Sequence, residues 1–235
     1  KKYLNTKIVS LEDISIGHNS CDLVINSKIF LNKSEYSRIN VFNSLKFSIL
    51  KNEFLIRKFK KVSKEKKIKI LISSGGSDYK NMLYRYSSEL LSLKNVKLSC
   101  LVGPGVENKN KIFKLKKYLK IIKTPKNIKK IIESHDIIIT SGGTFMFECI
   151  CLGKLVLAVE NYRHQRHIIN YLKKNNVILK LSNNISLLTK NVKKIILDII
   201  FKPKKYYEIQ KKAYDLIDGK GAIRCMYLIN KIIRM

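Results

Sequence analysis

A run of β-branched residues that stops at two glycines constrains this chain more than any other feature. Residues 137–139 are all isoleucine, the pattern of a buried strand, and the strand pattern ends at Ser141-Gly142-Gly143. Thr144 then begins a helical pattern, so a phosphate could approach the glycine backbone and the free N–H groups of the helix N-terminus. Glu148, just over one turn further, is well placed to accept hydrogen bonds from sugar hydroxyls. Because a tight strand-to-helix connection also needs glycine for structural reasons, this segment alone leaves both interpretations open.

A second segment of the same kind lies 67 residues earlier, counted from Gly75 to Gly142. Residues 69–73 predict a buried strand, Ser74-Gly75-Gly76-Ser77 the turn, and Ser77 or Asp78 the N-cap of the next helix. In open α/β folds, ligands bind at the carboxyl edge of the parallel sheet. The two segments therefore predict two phosphate-facing loops at one edge, with two ordinary capped turns as the alternative.

The chain alternates between apolar strand patterns and helical patterns, which predicts an α/β fold with a parallel sheet covered on both faces. From residue 64 onwards the predicted strands are 68–73, 96–102, 119–122, 136–140, 155–159 and 177–181. The predicted helices are 79–93, 108–117, 126–133, 144–152, 164–175, 184–200, 203–217 and 220–234. Ile223, Met226 and Tyr227 mark the predicted apolar face of the last helix.

The first part of the chain predicts a partial domain. Residues 1–60 contain strand patterns at 7–10, 22–26 and 47–50, but too little helix to cover a sheet. We expect 1–60 to be part of an N-terminal domain, 64–216 to form a complete C-terminal domain, and the helix within 217–235 to lean back toward the first domain. The basic stretch 57–67 is the expected linker. The shortage of helix in residues 1–60, together with a first residue other than Met, predicts that the chain is the carboxyl part of a longer protein.

The formal net charge of +31 raises the possibility of a nucleic-acid partner. Only seven of the 48 basic residues are arginine, the preferred residue for contacts with phosphates and base edges, and the lysines are spread along the whole chain. Nucleic acid is therefore the less favoured partner, although a positive field would attract an anionic small ligand. The five cysteines lack metal or disulfide spacing, and no apolar run reaches the ~18–20 residues of a membrane span. A reduced, cytoplasmic location is the expectation.

Six segments in the same order along the chain resemble UDP-2,4-diacetamido-2,4,6-trideoxy-β-L-altropyranose hydrolases of pseudaminic acid biosynthesis (the PseG type) and their spore-coat-polysaccharide relatives. These are nucleotide-sugar enzymes of the GT-B superfamily. Each segment is short, and their common order makes the resemblance specific. The segments are HNSCDLVIN at 18–26, FSILKNEF at 47–54, ISSGGSD at 72–78, SGGTFMFECICLGKL at 141–155, Glu160-Asn161 with Gln165, and DGKGAIR at 218–224.

The resemblance implies a GT-B-like architecture, with a parallel Rossmann-like C-terminal domain that binds UDP and the tail of an N-terminal Rossmann-like domain. It also implies that no metal or other cofactor is needed, because backbone N–H groups and helix ends stabilise the leaving diphosphate. Glu148 would hold the ribose hydroxyls. The residues implied to face the diphosphate are Gly75, Gly76, Ser77, Gly142, Gly143 and Thr144, and those near the sugar or phosphate are Asn26, Asn161 and Gln165.

The catalytic base is the main departure from the resemblance. Those hydrolases carry an early Gly-x-Gly-His-x-x-Arg loop whose histidine is the expected base, and the sequence lacks it. His18 is the one weak candidate, so we expect this chain by itself to bind UDP but to turn over poorly. A UDP-sugar hydrolase is the leading hypothesis for the family's activity. A GT-B glycosyltransferase of the family 28 type is the first alternative, and a non-catalytic module that binds UDP or nucleic acid is the second.

Overall fold

The computed structural model describes residues 6–12, 20–27, 40–62, 67–107, 109–182 and 185–234. The chain divides into two compact units. The first consists of Lys1–Ile56 with Leu216–Met235, and the second of Arg57–Asp215. Within the described residues, no helix combines the length and the apolar character needed to cross a membrane.

The first unit contains a small parallel sheet of three strands, β1 (Val9–Leu11), β2 (Leu23–Asn26) and β3 (Asn40–Asn43), with β2 in the middle. The predicted third strand at 47–50 is wrong. Ser44 accepts a hydrogen bond from the Lys46 amide, and this cap starts a 3₁₀ turn at Leu45–Phe47. The apolar residues after Ser44 therefore pack from a turn, and the strand lies earlier in the chain.

The last helix of the chain packs within the first unit, but not through its predicted apolar face. Its buried residues include Gly221, Cys225 and Ile232, whereas Tyr227 of the predicted face is 70% exposed. A Cβ atom at Gly221 would lie 2.1 Å from the Ser48 carbonyl oxygen, so the helix approaches the neighbouring backbone at this glycine. This close approach selects the face of the helix that is buried, and it leaves Ile223, Met226 and Tyr227 exposed.

The second unit is built on a six-stranded parallel sheet. Its strand order is β6-β5-β4-β7-β8-β9, in which the first strand of the unit lies next to the fourth, as in a doubly wound Rossmann fold. The connections reverse direction between β4 and β7. The strands are β4 (Ile68–Ser73), β5 (Val96–Val102), β6 (Lys120–Lys123), β7 (Ile137–Ser141), β8 (Leu155–Val159) and β9 (Leu179–Lys180).

Helices alternate with these strands, as the sequence predicted. They are α1 (Met82–Leu90), α2 (Lys109–Phe113), α3 (Ile128–Glu133), α4 (Thr144–Cys151), α5 (Arg166–Lys174), α6 (Ile185–Phe201) and α7 (Tyr207–Leu216), and α8 (Gly221–Ile233) belongs to the first unit. The central strands β7 and β8 are buried along their whole length. Apart from Thr140 and Ser141 at the end of β7, the residues on both faces of these strands are apolar because helices cover both faces of the sheet. The fold class is α/β, a GT-B-like Rossmann fold.

The predicted linker at 57–67 is wrong for residues 57–62, because they belong to the second unit and contact its other residues. The Arg57 guanidinium lies 3.8 Å from the centre of the Tyr214 ring and donates to the Cys151 carbonyl oxygen. The Phe59 ring meets Tyr214 edge to face, and the Val62 amide donates to Gln210. The basic composition of the stretch suggested an exposed linker and gave no sign of the aromatic and cation–π contacts that hold it in place.

Candidate functional site

The first glycine turn follows β4 at the carboxyl edge of the large sheet. Gly75 has φ +82°, a left-handed conformation that favours glycine, and its amide donates to the Ser73 hydroxyl. Gly76 differs, because a Cβ atom placed on it would meet no heavy atom within 4 Å. The backbone at Gly76 is therefore open to a ligand.

The turn after β5 supports the first glycine turn from behind. A Cβ atom at Gly103 would lie 2.1 Å from the Gly75 carbonyl oxygen, and the Gly105 amide donates to the Gly76 carbonyl oxygen over 2.8 Å. Gly103-Pro104-Gly105 form this turn. Its contacts show a loop that holds the Gly75-Gly76 backbone in place.

The second glycine turn follows β7 and leads directly into α4. Gly142 packs tightly, since a Cβ atom there would lie 2.9 Å from the Gln165 Cβ atom. Gly143 is the N-cap of α4, has an ordinary extended backbone with φ −96°, and would place a Cβ atom in open space. No side chain of the cap residue covers the first amides of α4, which begin at Thr144. This helix end therefore offers open backbone donors to an anion.

A hydrogen bond joins the two glycine turns, because the Ser141 hydroxyl donates to the Ser74 carbonyl oxygen over 2.8 Å. The Ser74 side chain is itself buried, and its hydroxyl has no hydrogen-bond partner among the described residues. An unpaired buried hydroxyl costs free energy, so one that lies between two open turns indicates a polar ligand. The turns lie where the strand connections reverse, the usual ligand position in a doubly wound sheet.

Two carboxylates, Glu148 and Asp78, lie in the segments that follow the two glycine turns. Glu148 lies within α4 and is only 9% exposed. The N-cap of α1 is Asn81, so the predicted N-cap, Ser77 or Asp78, is wrong. The Asp78 carboxylate nevertheless accepts hydrogen bonds from the Met82 and Leu83 amides at the start of α1. Burial raises the pKa of Asp78, partly offset by these two backbone hydrogen bonds. Asp78 therefore organises the first turn, and its carboxylate is occupied by the helix.

A third loop, after β8, is held to the first turn by side-chain amides. The Asn161 side chain donates to the Ser77 carbonyl oxygen over 3.3 Å, and the Gln165 side-chain oxygen accepts from the Asn161 amide over 3.0 Å. Glu160, only 2% exposed, forms ion pairs with Arg166 and Lys180. Of the predicted site residues, Asn161 and Gln165 thus lie beside the first turn and shape the loop.

With this geometry, similarity to known proteins becomes informative. Residues 44–222, three quarters of the chain, match the profile of the glycosyltransferase family 28 C-terminal domain. The chain belongs to this family. Its family-28 region includes both glycine turns, Glu148 and the loop after β8.

Two curated proteins resemble the family-28 chain. The first is an uncharacterized protein of Methanocaldococcus jannaschii, 32% identical over 170 residues, with 65% of this chain and 35% of that protein covered. The second is the UDP-2,4-diacetamido-2,4,6-trideoxy-β-L-altropyranose hydrolase of Campylobacter jejuni, 24% identical over 174 residues, with 72% and 62% covered. The chain thus spans less than two thirds of the length of either relative.

Solved structures support the fold of the family-28 chain. MurG of Acinetobacter baumannii has a TM-score of 0.61 and 18% identity, with 89% of this chain and 67% of MurG covered. A glycosyltransferase of Rickettsia africae has a TM-score of 0.59 and 15% identity, with 99% and 72% covered. At these identities the likeness establishes the fold alone.

The remaining predicted site residues lie elsewhere. His18, the weak candidate for a base, lies outside the described residues. Asn26 ends β2 in the first unit and is 1% exposed. In the part of the chain that the structure describes, no group of three or more His, Cys, Asp or Glu residues could hold a metal ion.

Sequence reasoning missed Tyr162 and Lys80, which join the loop after β8 to the first turn. The Tyr162 hydroxyl lies 2.6 Å from the Ser77 hydroxyl, and the Lys80 ammonium group donates to the Glu160 carbonyl oxygen over 2.8 Å. Neither residue belongs to a glycine turn or to a helical apolar pattern. The sequence offered only their positions as a signal: Lys80 lies just beyond the first turn, and Tyr162 lies just beyond β8.

Proposed function

We propose that this chain supplies the UDP-binding domain of a nucleotide-sugar enzyme, most directly a hydrolase that releases UDP from a diacetamido-trideoxyhexose. The observation that carries the proposal is the pair of open glycines, Gly76 and Gly143, on two turns joined by the Ser141–Ser74 hydrogen bond. Both turns belong to the family-28 region, and the name of the Campylobacter jejuni relative supplies the hydrolase and its sugar.

In the proposed complex the diphosphate lies between the two turns. The backbone N–H groups of 76–77 and 142–144 and the N-terminus of α4 bind its oxygens, and the Ser74 hydroxyl gains a partner. Water attacks the anomeric carbon, the bond from that carbon to the UDP oxygen breaks, and the sugar keeps the new hydroxyl. The second proton of the water is released to the solvent. The departing UDP carries the negative charge, which preorganised donors stabilise without a metal. Glu148 accepts hydrogen bonds from the ribose hydroxyls.

Transfer to an acceptor is the second candidate, because the family itself is named for glycosyltransferases and MurG is a structural neighbour. Hydrolysis and transfer use the same departing UDP and differ in whether water or an acceptor hydroxyl reaches the anomeric carbon. The two reactions are separated by incubating the chain with UDP-2,4-diacetamido-2,4,6-trideoxy-β-L-altropyranose and no acceptor. The chain is used at high concentration and for several hours, because slow turnover is expected without the histidine loop. Equal amounts of free sugar and UDP favour the hydrolase, whereas UDP release that needs an added sugar acceptor favours the transferase.

Binding is tested by titration calorimetry with UDP, and Glu148→Gln is the decisive variant. The amide keeps the size of the side chain but removes charge-assisted hydrogen bonds, which are worth about 1.5–3 kcal/mol each. We expect the dissociation constant of UDP to rise about 10- to 100-fold. Glu208→Gln on α7, an exposed carboxylate, is the matched control and leaves the affinity unchanged.

Two outcomes would contradict the binding proposal. An unchanged UDP affinity in Glu148→Gln removes this residue from the site. Salt-sensitive binding of single-stranded RNA without any UDP binding would favour a nucleic-acid module instead, because phosphate-backbone binding weakens steeply with salt.

A further inference from the structure

Three aromatic rings stack on one another beside the first glycine turn. The Tyr79 and Tyr162 ring centres are 6.2 Å apart with an interplanar angle of 24°, and the Tyr162 and His164 centres are 5.7 Å apart at 9°. Tyr162 is the middle ring. We call Tyr79, Tyr162 and His164 the aromatic stack.

The aromatic stack is fixed to the residue that follows the open glycine. The Tyr162 hydroxyl lies 2.6 Å from the Ser77 hydroxyl, and the Tyr162 amide donates to the Gln165 side-chain oxygen. Asn161, the residue before Tyr162, donates to the Ser77 carbonyl oxygen. The stack therefore stands next to the Gly76-Ser77 backbone and is held there by both side-chain and backbone contacts.

The outer ring of the aromatic stack is unusually open. Tyr79 is 76% exposed and Tyr162 is 38% exposed, so the outer ring, Tyr79, leaves most of its surface in water. Aromatic side chains dominate binding energetics because they offer large apolar surface with a defined orientation. An ordered, exposed stack beside an open anion site is suited to a ligand that joins a phosphate to an apolar group.

We infer that the aromatic stack binds the apolar face of an N-acetylated deoxy sugar attached to UDP, an inference that rests on the proposed function. A 2,4-diacetamido-2,4,6-trideoxy sugar carries two acetyl methyl groups and a methyl group at C6, so it is far more apolar than glucose. The sugar is bonded to the diphosphate, and the stack is anchored at the turn that would bind the diphosphate. The ribose and uracil would instead be held from Glu148 on α4.

The test compares three ligands with wild type, Tyr79→Ala and Tyr79→Phe by titration calorimetry. The ligands are UDP, UDP-glucose and UDP-2,4-diacetamido-2,4,6-trideoxy-β-L-altropyranose. We expect Tyr79→Ala to weaken binding of the diacetamido ligand about 3- to 10-fold, the usual value of one aromatic contact, and to leave UDP within twofold of wild type. Tyr79→Phe keeps the ring and keeps the affinity. Tyr118→Ala, another tyrosine that is 61% exposed, is the matched control and changes neither.

The outcomes separate this inference from the proposed function. If the wild-type chain binds UDP but Tyr79→Ala leaves the diacetamido ligand unaffected, the inference is overturned and the UDP site stands. If Tyr79→Ala weakens UDP and both UDP-sugars equally, the ring contacts the nucleotide, and the inference is again overturned. If the wild-type chain binds no UDP, the proposed function fails and this inference fails with it. Loss of affinity in Tyr79→Phe would assign the contact to the hydroxyl and overturn a role for the ring.

Discussion

Replacing Gly143 by alanine should reduce ligand binding with little effect on folding. Its backbone angles, φ −96° and ψ −169°, are open to any residue, and the new methyl group would meet no heavy atom within 4 Å. Removing glycine restricts the unfolded chain and stabilises the fold by about 0.4–1 kcal/mol. Gly143 is also the N-cap of α4, where alanine is a poorer cap by a comparable amount. The two effects oppose each other, so we expect a net change within about 1 kcal/mol.

The same methyl group would occupy the space through which a phosphate reaches the start of α4. Displacing a phosphate oxygen by one carbon removes one or two hydrogen bonds to a charged group, at about 1.5–3 kcal/mol each. We therefore expect the dissociation constant of UDP to rise at least 10-fold, and by more than about 100-fold if two bonds are lost. Gly76→Ala, whose methyl group also enters open space, should behave in the same way.

Thermal unfolding and titration calorimetry with UDP measure the two effects separately. For a chain of this size, 1 kcal/mol corresponds to a change of about 2–4 °C in the unfolding temperature. Gly142→Ala is the matched control in the same turn, because its methyl group would lie 2.9 Å from the Gln165 Cβ atom and must cost stability. Wild-type UDP affinity in Gly143→Ala would refute the position of the phosphate. A large loss of stability would refute the premise that the space is empty.

Two further predictions concern support of the site and the opposite edge of the sheet. Gly103→Ala would place a methyl group 2.1 Å from the Gly75 carbonyl oxygen. Urea unfolding should therefore show a loss of about 1–3 kcal/mol in the free energy of unfolding. UDP affinity should also fall although Gly103 lies behind the turn, and an unchanged affinity would disprove its supporting role. Lys154 is 3% exposed, and burial lowers its pKa from 10.5 to about 8. Because the unfolded chain holds this proton up to a higher pH, the Lys154 contribution to stability should rise by about 1 kcal/mol between pH 7 and pH 9. Urea unfolding at both pH values measures the difference in the free energy of unfolding between wild type and Lys154→Met. Lys120→Met at an exposed site is the control. A difference that stays the same at pH 7 and pH 9 would contradict the lowered pKa of Lys154.

The sequence predicted the large sheet well because its strands are continuous apolar runs that end at glycine turns. β4, β5 and β8 have the predicted bounds, and the prediction of two loops at one edge agrees with the pairing of β4 with β7. The small sheet was harder to predict, because the three apolar residues within 47–50 form no clear period and the Ser44 cap before them decides the local structure. The buried face of α8 could not be predicted either, because it depends on the close backbone approach at Gly221.

Residues that join separate loops were the least predictable part of the candidate site. Tyr162 lies 85 positions after Ser77 in the sequence, yet their hydroxyl groups are 2.6 Å apart. No local propensity encodes this contact, because it arises only when β4 and β8 are brought into one sheet. The same is true of the Ser141–Ser74 hydrogen bond, which connects two turns that the sequence could only assign to one edge.

The structure also bears on the alternative that both glycine turns are merely structural. In each turn one glycine is required by the protein itself: Gly75 has a left-handed backbone, and Gly142 leaves no room for a side chain. The other glycine, Gly76 or Gly143, has neither restriction. A turn that needs one glycine for folding but carries two leaves the second one unexplained by backbone or packing. Because both unexplained glycines lie at the carboxyl edge of β4 and β7, where a doubly wound sheet binds its ligand, we propose that close approach of a phosphate accounts for them both.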